Sequence, residues 1–222
     1  MPNRTLIIAP HPDDEILGCG GTLLRRKSEG VEICWLIVTD ISEQYGWQLK
    51  DVQQRKDEIE KITKLVGFDV VHNLKLNPAQ LDALPIGEVI QKISKVFRDF
   101  QPDEVFVPHY SDVHTDHRIV FDATIACTKW FRYPSVKRIL SYETLSETEF
   151  GLRRENAFFP NVYVNIDEYL ETKVQLMSIY ESEVDDFPFP RSDQAVRAQA
   201  YLRGAAAGYN AAEAFQLLKE RN

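Results

Sequence analysis

Most of the side chains able to do chemistry fall in two short stretches. The first is His11-Pro12-Asp13-Asp14-Glu15, one imidazole and three carboxylates in five residues. Adjacent acids repel one another unless a cation or a helix N-terminus compensates. A following helix supplies part of that compensation, with Asp13 or Asp14 as N-cap and Glu15 in the first turn. That structural reading is preferred for Glu15, but it leaves His11 unexplained. The second stretch runs from Pro108 to His117 and holds three of the five histidines, His109, His114 and His117. His114 and His117 are three apart and share a face on a helical turn. Two imidazoles and a carboxylate with open positions make a hydrolytic metal site, best suited to zinc. The same set describes the facial triad of non-haem iron oxygenases, and composition does not separate the two.

These residues need a frame that brings both stretches together. Leu6-Ile7-Ile8-Ala9 is a short continuous apolar run, the signature of a strand buried on both faces. The pattern then alternates. Helices are predicted over 16–27, 51–66, 86–100 and 117–131, and strands over 31–38, 70–74, 104–107 and 138–141. Alternation of this kind argues a parallel sheet covered on both faces. Both reactive stretches then follow strands, at the carboxyl edge where open α/β sheets bind ligands. Beyond them the pattern predicts an edge strand at 162–164, helices over 167–181 and 192–207, and a final helix over 211–219. No repeat or linker divides the chain, so 1–222 is read as one domain.

Gly18-Cys19-Gly20-Gly21 lacks the Lys-Ser/Thr pair of a phosphate loop and the GxGxxG spacing. Close packing of a helix is the preferred use of these glycines. Cys19 lies near the first stretch, but a small buried residue is preferred over a nucleophile.

Composition bounds the rest. The chain has 222 residues and a formal charge of -8, with 44% hydrophobic residues. Those are globular values, and disorder does not fit. The acidic balance argues against nucleic acid as a partner. No apolar run reaches the roughly 18 residues of a transmembrane span. Three cysteines without a CxxC pair suit a reduced, cytoplasmic setting.

The sequence resembles the PIG-L / LmbE-like family of zinc-dependent N-acetylglucosaminyl de-N-acetylases. The matching pieces are Ala9-Pro10-His11-Pro12-Asp13-Asp14-Glu15, Gly20-Gly21-Thr22-Leu23, Val38-Thr39-Asp40, Arg55 with Glu58, and His114-Thr115-Asp116-His117. Two positions depart from the family pattern. Pro10 stands where Ala usually precedes the His, and Thr115 stands where Pro is usual; neither removes a catalytic side chain. Phe189-Pro190-Arg191-Ser192 replaces a common His-Pro-Arg-Ser, so any polar contact from that His is absent.

The resemblance implies a Rossmann-like three-layer sandwich with a mostly parallel central sheet. It implies His11, Asp14 and His117 as ligands of Zn2+, with Fe2+ or Co2+ also compatible. It further implies Asp13 as general base, His114 as the imidazolium that stabilises or protonates, and Asp116 as the partner that orients His114. Arg55, Tyr142 and Glu143 are read as substrate contacts. The implied activity is removal of the N-acetyl group from an N-acetylglucosamine-type conjugate, a small molecule, in surface-polysaccharide or glycoconjugate biosynthesis. Deacetylation of a GlcNAc-thiol-cofactor precursor is the alternative, ahead of an oxygenase or a non-catalytic sugar-binding protein. Relatives of this kind self-associate, so a homo-oligomer is open to the chain.

Overall fold

The apolar runs form β1 (Arg4–Ala9), β2 (Glu32–Thr39), β3 (Val70–Leu76), β4 (Glu104–Val107), β5 (Arg138–Tyr142), β6 (Val162–Asn165) and β7 (Ala212–Glu220) in a computed structural model that describes residues 2–152 and 154–222. Their spatial order is β3-β2-β1-β4-β5-β7-β6. The pairs from β3 through β5 are parallel, while β7 runs antiparallel to both β5 and β6. The expected sandwich with a mostly parallel sheet is therefore the one observed. A single sheet covered by helices is not the double-sheet β jelly roll in which the facial triad of non-haem iron oxygenases usually sits.

Helices cover both faces. α1 (Asp14–Ser28), α2 (Leu49–Val66), α5 (Leu170–Met177) and α6 (Asp193–Ala207) pack on one, with Leu17, Ile62, Val174 and Val196 against Ile7, Trp35 and Phe106. α3 (Ile86–Phe100) and α4 (Thr115–Ala126) pack on the other, with Ile93, Phe97 and Val120 against Leu6, Leu36 and Val105. Alternate residues of each strand thus enter opposite cores, which is why these strands read as unbroken apolar runs. After β1 the chain moves outward through β2 to β3, then returns to place β4 on the other side of β1. The carboxyl ends of β1 and β4 form the switch point where such sheets bind ligands.

Several boundaries depart from expectation. The segment predicted as a final helix is β7. Ala and Glu are helix formers, but β5 and β6 each present a hydrogen-bonding edge here, and pairing with both outweighs a weak local propensity. Phe215 then stacks on Phe106 at 4.9 Å, under the core of the first face. α4 begins two residues early and ends at Ala126, leaving Trp130 and Phe131 outside it and exposed.

Gly18 and Gly21 explain the Gly-rich stretch. A Cβ on Gly18 would lie 2.3 Å from Tyr142, and one on Gly21 would lie 2.7 Å from Ile166. The glycines admit α1 to the sheet, as close packing requires. A buried ion pair fixes the other end of α1, where Arg26 donates through Nε and Nη2 to Glu104 on β4 at 3.0 and 3.1 Å.

Candidate metal centre

Pro10 and Pro12 cannot extend a ladder, so the chain leaves β1 sharply and enters α1 at Asp14. Asp13 makes that turn with φ 135°, a backbone region that L side chains rarely adopt. The second stretch leaves β4, and His114 becomes the N-cap of α4, its Nδ1 accepting from the Asp116 backbone N–H at 3.1 Å. The two turns meet. The His11 ring centroid lies 4.6 Å from that of His114 and 5.4 Å from that of His117.

Asp14 sits between two imidazoles. Its Oδ2 lies 3.3 Å from His11 Nδ1 and 3.3 Å from His117 Nε2. Each histidine is gripped at its other nitrogen by a buried carboxylate: His117 Nδ1 meets Asp112 Oδ2 at 2.8 Å, and His11 Nε2 meets Asp116 Oδ2 at 3.2 Å. A carboxylate behind a histidine fixes its tautomer and leaves the opposite nitrogen to a metal. His11, Asp14 and His117 thus offer three converging ligand atoms. A second grouping, His11 with His114 and Asp116, also lies within metal-binding reach. The Asp116 carboxylate, however, already accepts from the backbone N–H groups of Ala79 and Leu81, at 2.7 and 3.3 Å. The first set is the better metal site.

Charge favours the same conclusion. Burial works against a charged His11, yet its bonds to Asp116 and Asp14 outweigh that and push its pKa up to about 9. Burial likewise opposes charge on His117, but Asp14 and Asp112 hold its proton firmly. Burial would raise Asp14, but the charges and hydrogen bonds of His117 and His11 keep it well below the carboxylate range. The ionised Asp14 thus draws protons onto two flanking imidazoles, a place that a divalent cation would take, so the donor set fits a metal.

Asp13 is 4% exposed. Burial and the neighbouring Asp14 charge push its pKa up to about 7 against the opposing Arg191. Its Oδ2 accepts from Arg191 Nη1 at 2.8 Å. Burial and the nearby His11 and His117 lower His114 to about 4. Glu15 is fully buried, accepts from the Tyr180 hydroxyl at 2.6 Å and is raised by burial to about 8, consistent with its structural reading. Cys19 is fully buried, and burial raises its thiol well above the usual range, which removes it as a nucleophile.

A cavity of about 460 Å³ opens over this cluster, within the range of small-molecule sites. His11, Asp13, Asp14, His114, His117 and Arg55 all line it. A larger groove of about 920 Å³ between α5 and α6 shares Arg191 with it but contains no imidazole, so size does not mark the chemistry here.

Three sequence expectations are corrected. The Asp116 carboxylate orients His11, not His114; only its backbone N–H reaches His114. Tyr142 does not reach the cavity. It is fully buried beneath Gly18, and its hydroxyl donates to the Ile8 carbonyl at 2.8 Å. Glu143 lies in a separate crevice, gripped by Arg203 at 2.7 and 2.6 Å. Packing explains both, because Tyr142 at the end of β5 lies against α1 and Glu143 just beyond it pairs with Arg203 on α6, contacts that no local pattern reveals.

Other residues were not singled out beforehand. Asp112 carried a weak signal, an acid five residues before His117. Arg191 carried the motif around it. Trp47 and Glu183 carried none, since only the fold brings them to the cavity.

The PIG-L family model, described as GlcNAc-PI de-N-acetylase, matches residues 6–128. The diacetylchitobiose deacetylase of Thermococcus kodakarensis is 25% identical over 97% of this chain and 83% of its own. The 2'-N-acetylparomamine deacetylase of Streptomyces fradiae is 25% identical over 82% of this chain and 74% of its own. Among solved structures, a conserved protein of Thermus thermophilus is 27% identical with a TM-score of 0.78, over 97% of this chain and 94% of that one.

Proposed function

This chain belongs to the PIG-L family, and on that premise we propose that it is a metal-dependent deacetylase that hydrolyses the N-acetyl group of an N-acetylglucosamine-type sugar. The observation that carries this reading is the convergence of His11, Asp14 and His117 beneath one cavity, with Asp13 beside them. The Thermococcus kodakarensis and Streptomyces fradiae relatives are deacetylases by name, which supports the amide as the bond attacked.

An acetamide is a poor electrophile with a poor leaving group. A divalent metal, zinc in this proposal, would acidify a water and polarise the acetyl carbonyl. The chain supplies the proton handling. Asp13 is the general base, and its elevated pKa lets it take a proton from water and keep it near neutral pH. Arg191 holds the Asp13 carboxylate in place. His114 acts as a neutral donor, because its Nδ1 already accepts from the Asp116 N–H and its proton therefore sits on Nε2. Donation from Nε2 stabilises the oxyanion. The amine then leaves with the proton that Asp13 has collected. The imidazolium anticipated for His114 is not needed.

The test is acetate release from N-acetylglucosamine conjugates by metal-stripped protein, with zinc or iron(II) restored anaerobically. Activity should return with metal and vanish in His117→Ala. Asp13→Asn should keep the metal and lose about 10²–10⁴ in kcat. It should be as stable as the parent or more so, since a buried carboxylate is replaced by a neutral isostere. Normal turnover by Asp13→Asn would sink the base assignment.

A further inference from the structure

The walls of the cavity bear on the part of the substrate beyond the reacting ring, an inference that rests on the deacetylase reading above. Among the described residues, seven carboxylates and two arginines line it, and no lysine does. Both arginines are already paired with carboxylates of the same cavity. Arg55 donates from Nη1 to the Pro12 carbonyl at 2.8 Å, and from Nη2 to Glu183 at 2.6 Å and Ser182 at 3.2 Å. Its Nε faces Glu58 at 3.1 Å. Arg191 donates from Nε to Ser146 at 2.8 Å, and from Nη1 to Asp13 at 2.8 Å and Glu183 at 2.9 Å. Its Nη2 lies 3.8 Å from Glu147.

Asp40 and Asp51 also line the cavity and form no ion pair among the described residues, Asp51 lying one turn before Arg55 on α2; Asp40 accepts from the Asn73 amide at 2.6 Å. Beside them Trp47 lines the same cavity and is 45% exposed. A metal dication would offset two of the carboxylate charges and leave the wall acidic.

A phosphate or carboxylate entering this space would compete with the carboxylates already paired to the two arginines and lose its hydration beside like charges, and both are costly. A neutral sugar meets neither penalty. An ammonium group gains from the carboxylates and from the indole face. The flat apolar surface of Trp47 also suits the C–H face of a pyranose, leaving the hydroxyls to Asp40, Asp51 and Gln54.

We propose that the substrate continues beyond its N-acetylated ring into a second sugar, uncharged or carrying an ammonium group, that stacks on Trp47, and that phosphate- and carboxylate-bearing conjugates are rejected.

A panel tests this: GlcNAc, a neutral GlcNAc disaccharide, its singly de-N-acetylated form, GlcNAc-1-phosphate and a GlcNAc-malate conjugate. The two disaccharides should exceed the anionic conjugates at least tenfold in kcat/KM. Added salt should narrow that gap. Trp47→Ala should lower disaccharide kcat/KM about tenfold, chiefly through KM, and by more than for GlcNAc; Trp47→Phe should recover most of it. Asp51→Lys should raise turnover of the anionic conjugates. Anionic conjugates turned over as well as the disaccharides would overturn the proposal, as would equal losses for GlcNAc and disaccharide in Trp47→Ala. Acetate from no member would instead count against the deacetylase reading. Calorimetry on Asp13→Asn then judges this inference separately. Disaccharide binding that weakens in the Asp13→Asn, Trp47→Ala double variant upholds it, and equal or tighter binding of GlcNAc-1-phosphate overturns it.

Discussion

His117 and His11 are each held at the nitrogen that faces away from Asp14, one by Asp112 and the other by Asp116. The two carboxylates are themselves tied down, Asp112 by the Thr148 hydroxyl at 2.7 Å and Asp116 by the Ala79 N–H at 2.7 Å. Rotation of either ring therefore breaks a buried charge-assisted bond. Asp112→Asn keeps the shape but weakens the grip on Nδ1, and it should lower metal affinity about 10–100-fold. A competitive chelator titration measures this without reference to turnover. Unchanged affinity would mean that His117 is held by packing alone. The residue types at 11, 14 and 117 were legible because imidazoles and acids so close together have few structural uses. The partnership of Asp116 was misread because proximity in sequence to His114 said nothing about which ring its side chain would face.

At the level of elements, the depth at which α1 lies on the sheet decides where Asp13 and Asp14 stand. Gly18 makes that depth available, since any side chain there meets the ring of Tyr142. Gly18→Ala should cost about 2–3 kcal/mol from overpacking, or roughly 5–10 °C in Tm for a chain of this size. Thermal unfolding checks it, and an unchanged Tm would show that Tyr142 can yield. The far end of α1 is tied by Lys27 to Asp69, with Nζ 2.8 and 2.9 Å from the carboxylate oxygens. Asp69 also accepts from the Ile33 N–H at 2.7 Å. Burial works to raise Asp69, but Lys27 and Ile33 hold it below its ordinary value of 3.8. A depressed carboxyl contributes stability above its unfolded pKa and loses it as pH falls through the folded one. The stability difference between the parent and Asp69→Asn should therefore be flat above about pH 5 and shrink below about pH 4. Denaturant unfolding at several pH values would show it, and a difference that grows on acidification would refute the linkage.

Across the whole molecule, the candidate metal site joins two turns that are about 100 residues apart in the chain and meet only in the folded state. A metal held by both stretches binds the native state alone and should stabilise it by mass action. At a free metal concentration about 100 times its Kd the gain is about 2.7 kcal/mol. Zinc addition should therefore raise the Tm of stripped protein and leave that of His117→Ala nearly unchanged. An equal rise in both would place the metal elsewhere. No helix among the described residues is long and apolar enough to cross a membrane.

The sequence by itself determined the alternation of strand and helix, the buried parallel core and the two stretches that carry the reactive side chains. Those features follow from local periodicity and from side-chain chemistry, which no neighbour can change; the choice of His11, Asp14 and His117 within them came from the family resemblance. Tertiary structure alone decided the rest. It turned residues 212–220 into a strand, because β5 and β6 each lacked a partner on the facing edge. It placed Tyr142 and Glu143 away from the cavity, Tyr142 against Gly18 of α1 and Glu143 against Arg203 of α6. It also brought Trp47, before α2, to one cavity with Glu183 and Arg191, from the connection between α5 and α6. Such meetings depend on how far each connection reaches across the sheet, a property of the assembled layers that leaves no periodic trace in the chain.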